Sequence, residues 1–101
     1  MGTSSYVMAG PKQGTNMAFG SSCHGAGRAL SRTQAREAID GASVKRELAQ
    51  RGISIYETHE KYLSEEAPAA YKDIDEVVRL TSESGLARPV ARLKPLIVIK
   101  G

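Results

Sequence analysis

At 101 residues the chain has room for one small domain. Hydrophobic residues make up 41% and charged residues 25%, a globular rather than a disordered mix, and no apolar run approaches the roughly 18 residues of a membrane span. The single cysteine excludes an internal disulfide, and a net charge of +3 is compatible with a polyanionic partner without demanding one.

In chain order, residues 4–9 (SSYVMA) read as a short strand, followed by a Gly10-Pro11 turn signal. Residues 11–27 hold Gly14, Gly20, Gly25 and Gly27, so irregular chain is expected there. Ser31 with Gln34 has the form of a capping box, which predicts a helix running to about Asp40, with Gly41 stopping it. A second helix over about 42–51 puts Val44 and Leu48 on one face and ends at Gly52. Residues 53–57 (ISIYE) alternate apolar and polar and predict a strand. Pro68 opens a turn. Asp73 with Glu76 marks another helix start, Ile74, Val77 and Val78 form its apolar face, and Gly85 ends it. Residues 90–93 and 96–99 look extended, with Pro89 and Pro95 limiting their pairing. About three helices and three or four mixed strands make an α+β (α/β) fold. With no Trp and one Phe, its core rests on Leu, Ile, Val and Ala.

The stretch FGSSCHGAGR, residues 19–28, places one of the two histidines among small residues. Glycines let backbone N–H groups approach a ligand, a following helix start adds positive potential, and Arg28 adds a fork of donors, so Gly25 to Arg28 has the makings of a phosphate cradle. Beside bound phosphate, His24 could act as acid, ligand or nucleophile; equally, it could pack in the loop through one hydrogen bond. The residues alone leave both readings open. Cys23 adjoins His24 and His59 stands far along the chain, so no metal-ligand spacing arises. Cys23 is expected to be a small buried residue and His59 a surface one. Glu65-Glu66 and the Asp73/Asp75 pair read as solvated faces and caps.

FGSSCHGAGRALSR strongly resembles the guanylylation motif of the RtcB family of RNA ligases, the tRNA-splicing ligases that join RNA 2′,3′-cyclic phosphate or 3′-phosphate ends to 5′-hydroxyl ends. MGTSSYV resembles a family segment upstream, EEAPAAYKDIDEVV one downstream, and ARLKPLIVIKG the family's C-terminal end, so the resemblance runs in order over the whole chain. It implies that His24 attacks the α-phosphate of GTP, that GMP passes to the RNA 3′-phosphate, and that the 5′-hydroxyl then displaces GMP. It further implies guanylate contacts at Gly25, Ala26 and Gly27, nucleotide contacts at Met1 and Ser5, and base contacts at Tyr71 and Lys100. Arg28 matches the motif arginine, for which a phosphate or RNA contact is inferred.

The resemblance has a boundary. The family's Mn²⁺ ligands lie in a larger N-terminal part, and neither Cys23 nor His59 matches one of them, so no metal ligand is expected among residues 1–101. What is implied is the C-terminal portion of such a ligase: cytoplasmic, inactive alone, acting on tRNA halves or broken RNA, and served by an archease-type activator protein. Strands without partners and uncovered apolar faces are then expected, with residues 10–24 least ordered. A stand-alone nucleotide- or RNA-binding module without catalysis is the alternative, and a small domain for protein contacts a blander third.

Overall fold

Among the described residues, three side-chain helix caps and two short sheets organise the chain. The structure, a computed structural model, describes residues 1–11 and 17–101. Along the chain run β1 (Ser5–Ala9), α1 (Arg32–Ala38), α2 (Gly41–Gln50), β2 (Ser54–Glu57), α3 (Lys61–Glu65), a 3₁₀ turn (Pro68–Ala70), α4 (Ile74–Glu83), β3 (Arg88–Leu93) and β4 (Ile97–Lys100). The fold is α+β, as expected, and divides into two compact units: residues 1–3, 27–72 and 95–101, and residues 4–26 and 73–94.

In the first unit the predicted capping box forms. The Gln34 N–H donates to Ser31 Oγ at 3.2 Å and the Ser31 N–H donates to Gln34 Oε1 at 2.9 Å, satisfying two of the free amides at the start of α1. Gly41 does not stop this helix. Asp40 caps α2 instead, accepting the Ser43 N–H at 3.1 Å, and Gly41 is the first residue of α2. Its missing side chain has a packing reason: a Cβ there would stand 3.0 Å from the Cβ of Leu63, so glycine lets α2 close on α3. Val44 and Leu48 are buried on one face of α2, as their spacing predicts, and Gly52, at φ +76°, turns the chain out of the helix.

Beyond that turn, β2 pairs in parallel with β4, from Ser54 opposite Ile97 to Glu57 opposite Lys100. Ile55 turns inward and is buried, while Tyr56, Ile97 and Ile99 alternate outward and are 63%, 62% and 78% exposed. The core consists of Val44, Leu48, Ile53, Ile55, Leu63 and Ala67, with Met1, Ile39 and Val98 packed against it. Helix α3 is the element that periodicity missed. It has five residues, its first flanking residue Glu60 makes no side-chain cap, and Leu63 is its sole buried apolar side chain.

The second unit pairs β1 with β3, antiparallel, from Ser5 opposite Leu93 to Ala9 opposite Arg88. The register slips between Val7, which faces Ala91, and Met8, which faces Pro89; Val90 is the extra residue. Proline has no N–H for the ladder, so the strand bulges where Pro89 enters it. Asp73 caps α4 by accepting the Asp75 N–H at 2.8 Å, and Gly85, at φ +71°, ends it. Asp75 is not merely a solvated acid. Its carboxylate accepts from Tyr6 Oη and from Arg92 Nη2, each at 2.8 Å, which ties β1 and β3 to the first turn of α4. A turn at Gly10-Pro11 would run into residues 12–16, outside the described residues; among the described residues a turn lies at 17–20, with Phe19 at φ 56° and Gly20 at φ 78°. The expectation of low order over 10–24 falls partly on residues 12–16, outside the described residues.

Candidate functional site

The candidate residues divide between the two units. Ser5, His24, Gly25 and Ala26 belong to the second; Met1, Gly27, Tyr71 and Lys100 belong to the first.

In the second unit Ser5 opens β1, opposite Leu93, and is exposed. Residues 21–27 follow no regular structure, and His24 is exposed within them. Cys23 is exposed too, against the expectation of a buried thiol: a segment without periodic structure offers it no apolar face to pack on. Gly25 and Gly27 are not in the left-handed region, so backbone conformation does not demand glycine at either position. A Cβ added to Gly25 or to Gly27 would meet nothing within 4 Å. Protein packing does not demand glycine there either.

In the first unit the chain after Gly27 is anchored. The Lys72 N–H donates to the Gly27 carbonyl at 2.9 Å, and the Ala29 and Leu30 N–H groups both donate to the Ala70 carbonyl. Those two amides are therefore spent inside the protein rather than presented to an anion. Arg28 is committed as well. Its Nη1 donates to the Glu65 carbonyl and its Nη2 to Glu66 Oε1, both at 2.7 Å, and its guanidinium carbon lies 4.7 Å from the centre of the Tyr71 ring. The fork read from the sequence as a phosphate or RNA contact thus serves an internal carboxylate and an aromatic face.

Glu66 is the centre of this arrangement. Its Oε1 takes Arg28; its Oε2 accepts from Tyr71 Oη at 2.6 Å and lies 3.6 Å from Lys100 Nζ. Lys100 reaches it from the end of β4, where the parallel register sets it opposite Glu57. Met1 packs against the core of the same unit. Next door, Glu65 is 4% exposed and pairs with Arg36 Nη1, with Arg32 Nε at 3.8 Å. The reading of Glu65-Glu66 as a solvated face is corrected: Glu65 is buried, Glu66 is partly buried, and cations pair with both carboxylates. His59 is exposed, as expected.

The Glu66 carboxyl sits below its ordinary 4.5. Burial is the largest influence and opposes ionisation, but the Tyr71 hydrogen bond and the charges of Lys100 and Arg28 together outweigh it. Burial, then the bond to Glu66, pushes the Tyr71 hydroxyl above its ordinary 10.0. A depressed acid contributes stability that is present above 4.5 and lost as pH falls through its folded value; a raised phenol contributes stability that is present below 10.0 and lost as pH rises through its folded value. Thermal melts across pH should therefore show a plateau between these limits that falls away on both sides, and Glu66→Gln should flatten the acid side.

Among the described residues no three His, Cys, Asp or Glu side chains come together in a way that could hold a metal ion. No helix among them is long and apolar enough to cross a membrane.

The chain belongs to the RtcB family: the family model described as tRNA-splicing ligase RtcB matches residues 1–101. It is 46% identical over 101 residues to the tRNA-splicing ligase RtcB of Methanopyrus kandleri, covering all of this chain and 10% of that protein. It is 48% identical to the proteins of the same name from Pyrococcus abyssi and Thermococcus kodakarensis, covering 11% and 21% of their lengths. The chain thus spans about a tenth to a fifth of the relatives it matches.

Proposed function

We propose that this chain is the C-terminal portion of a GTP-dependent, cytoplasmic RNA ligase that joins RNA 2′,3′-cyclic phosphate or 3′-phosphate ends to 5′-hydroxyl ends, and that His24 is its nucleophile. A ring nitrogen of His24 attacks the α-phosphorus of GTP, the substrate consumed. An N–P bond forms, the P–O bond to the β-phosphate breaks, and pyrophosphate leaves. The RNA 3′-phosphate then takes the GMP and frees His24. The 5′-hydroxyl attacks that phosphate, a phosphodiester forms and GMP departs. A cyclic end enters this sequence once water has opened it to a 3′-phosphate. The RNA substrates are tRNA halves or broken RNA, with an archease-type protein as activator. Residues elsewhere in the polypeptide supply the Mn²⁺ ligands, and the chain alone is inactive.

The observation that carries this reading is the family match over the whole chain, with the motif histidine exposed between small residues. The glycines add support. The fold needs glycine neither at 25 nor at 27, while a nucleotide lying against the backbone would.

The test is a chimera in which this chain replaces the matching segment of the Pyrococcus abyssi relative, incubated with Mn²⁺ and GTP labelled on the α- or the γ-phosphate. The α-label is expected on the protein as an acid-labile, alkali-stable adduct, and the γ-label is not. A chimera that takes up no α-label refutes the reading. Gly25→Ala should separate fold from function, leaving the melting temperature within about 1 °C while labelling falls at least about tenfold, because the new methyl enters open space in the protein but collides with the nucleotide.

A further inference from the structure

We propose that Glu66 is a positioning residue: it holds Tyr71 and Lys100 in the arrangement that selects a guanine nucleotide. The inference rests on the functional reading above and on the base contacts that the family resemblance implies for Tyr71 and Lys100. Three donors from separate parts of the chain converge on one carboxylate: Arg28 at 2.7 Å, Tyr71 at 2.6 Å and Lys100 at 3.6 Å. Glu66 itself is fixed by the end of α3, where its N–H donates to the Tyr62 carbonyl at 3.0 Å.

The Tyr71 ring is pinned twice. Glu66 holds its hydroxyl and the Arg28 guanidinium lies against its face. Tyr71 therefore has little rotamer freedom left to lose when a ligand arrives, which is how preorganisation raises affinity. Lys100 is treated differently: its side chain keeps 36% of its surface exposed and approaches Glu66 without a short contact. Its ammonium is oriented but not consumed.

Stability alone is a weak reason for this design. Shielded ion pairs of this kind can often be exchanged for apolar residues without loss of stability, and here the cluster fixes the geometry of Tyr71 and Lys100. The assignment also gives Arg28 a purpose. It clamps the carboxylate and the ring that face the base, and leaves phosphate to other groups.

The test uses the chimera with Glu66→Gln, which keeps the size and an acceptor for Tyr71 but removes the charge. Labelling with α-phosphate-labelled GTP and ATP is expected to show a KM for GTP raised about tenfold, kcat within about twofold, and a GTP-over-ATP preference reduced about tenfold, equivalent to about 1.4 kcal/mol. The double variant Glu66→Gln/Tyr71→Phe should lose less than the sum of the two single losses, because the two residues share one interaction. Equilibrium binding of GMP and AMP to the same proteins reads the selectivity without any chemistry. An unchanged GMP-over-AMP preference in Glu66→Gln, even with a lowered melting temperature, overturns the proposal and leaves Glu66 a purely structural residue. If the unsubstituted chimera takes no label yet prefers GMP, and Glu66→Gln abolishes that preference, the functional reading fails and the positioning role stands.

Discussion

His24→Ala in the chimera is expected to cut covalent labelling by α-phosphate-labelled GTP more than about a thousandfold, to background. No side chain can stand in for a missing nucleophile, so the loss should exceed that of any substitution that merely weakens binding. The position makes the result easy to interpret. His24 is exposed in irregular chain, so its removal takes no apolar surface from the core, and the melting temperature should not move. The adjacent thiol provides the control: Cys23 is also exposed, and Cys23→Ser should keep full labelling. Undiminished labelling of His24→Ala would remove His24 from the mechanism.

Leu48→Ala should be the most damaging single change to the fold, at about 3–5 kcal/mol. Leu48 is 1% exposed and lies at the centre of the small cluster of Val44, Ile53, Ile55, Leu63 and Ala67. The Gly2 backbone sits on it, at φ +76°, so closely that a Cβ on Gly2 would fall 2.5 Å from Leu48 Cδ2. Backbone packed against the side chain cannot readily collapse into the space an alanine leaves, which puts the cost toward the upper end of the range. A chain of this size has little stability in reserve, so the melting temperature should fall by roughly 10 °C or more. Urea unfolding with an unchanged slope and a lowered midpoint would check it; a shift under about 3 °C would contradict the tight packing around Leu48.

The elements legible in the sequence are those with a local chemical signal. Ser31 with Gln34, Asp73 before an apolar face, and Gly52 and Gly85 at φ above +70° announce helix ends by satisfying, or turning away from, backbone groups close at hand. The alternation in 53–57 is equally local. What escaped depends on distant partners. Gly41 reads as a stop signal, yet the reason for it is Leu63 on another helix. Glu65 and Glu66 read as solvated because nothing nearby in sequence shows that Arg28, Arg36 and Lys100 return to them. The site divides the same way. The motif around His24 can be read as a string, whereas the carboxylate that orders Tyr71 and Lys100 becomes visible only once β4 lies beside β2.

The parallel pair of β2 and β4 has a practical consequence. Parallel sheets are normally covered on both faces, and here Tyr56, Ile97 and Ile99, with Leu96 beside them, leave one face greasy and open to water. A surface of this kind is a nucleus for precipitation: at high protein concentration or in kosmotropic salt, molecules would be driven together through it. Replacing Ile97 and Ile99 with lysine or threonine touches no core residue and should raise the concentration at which the purified chain stays dispersed, which makes solubility rather than stability the first quantity to engineer for work on this piece alone.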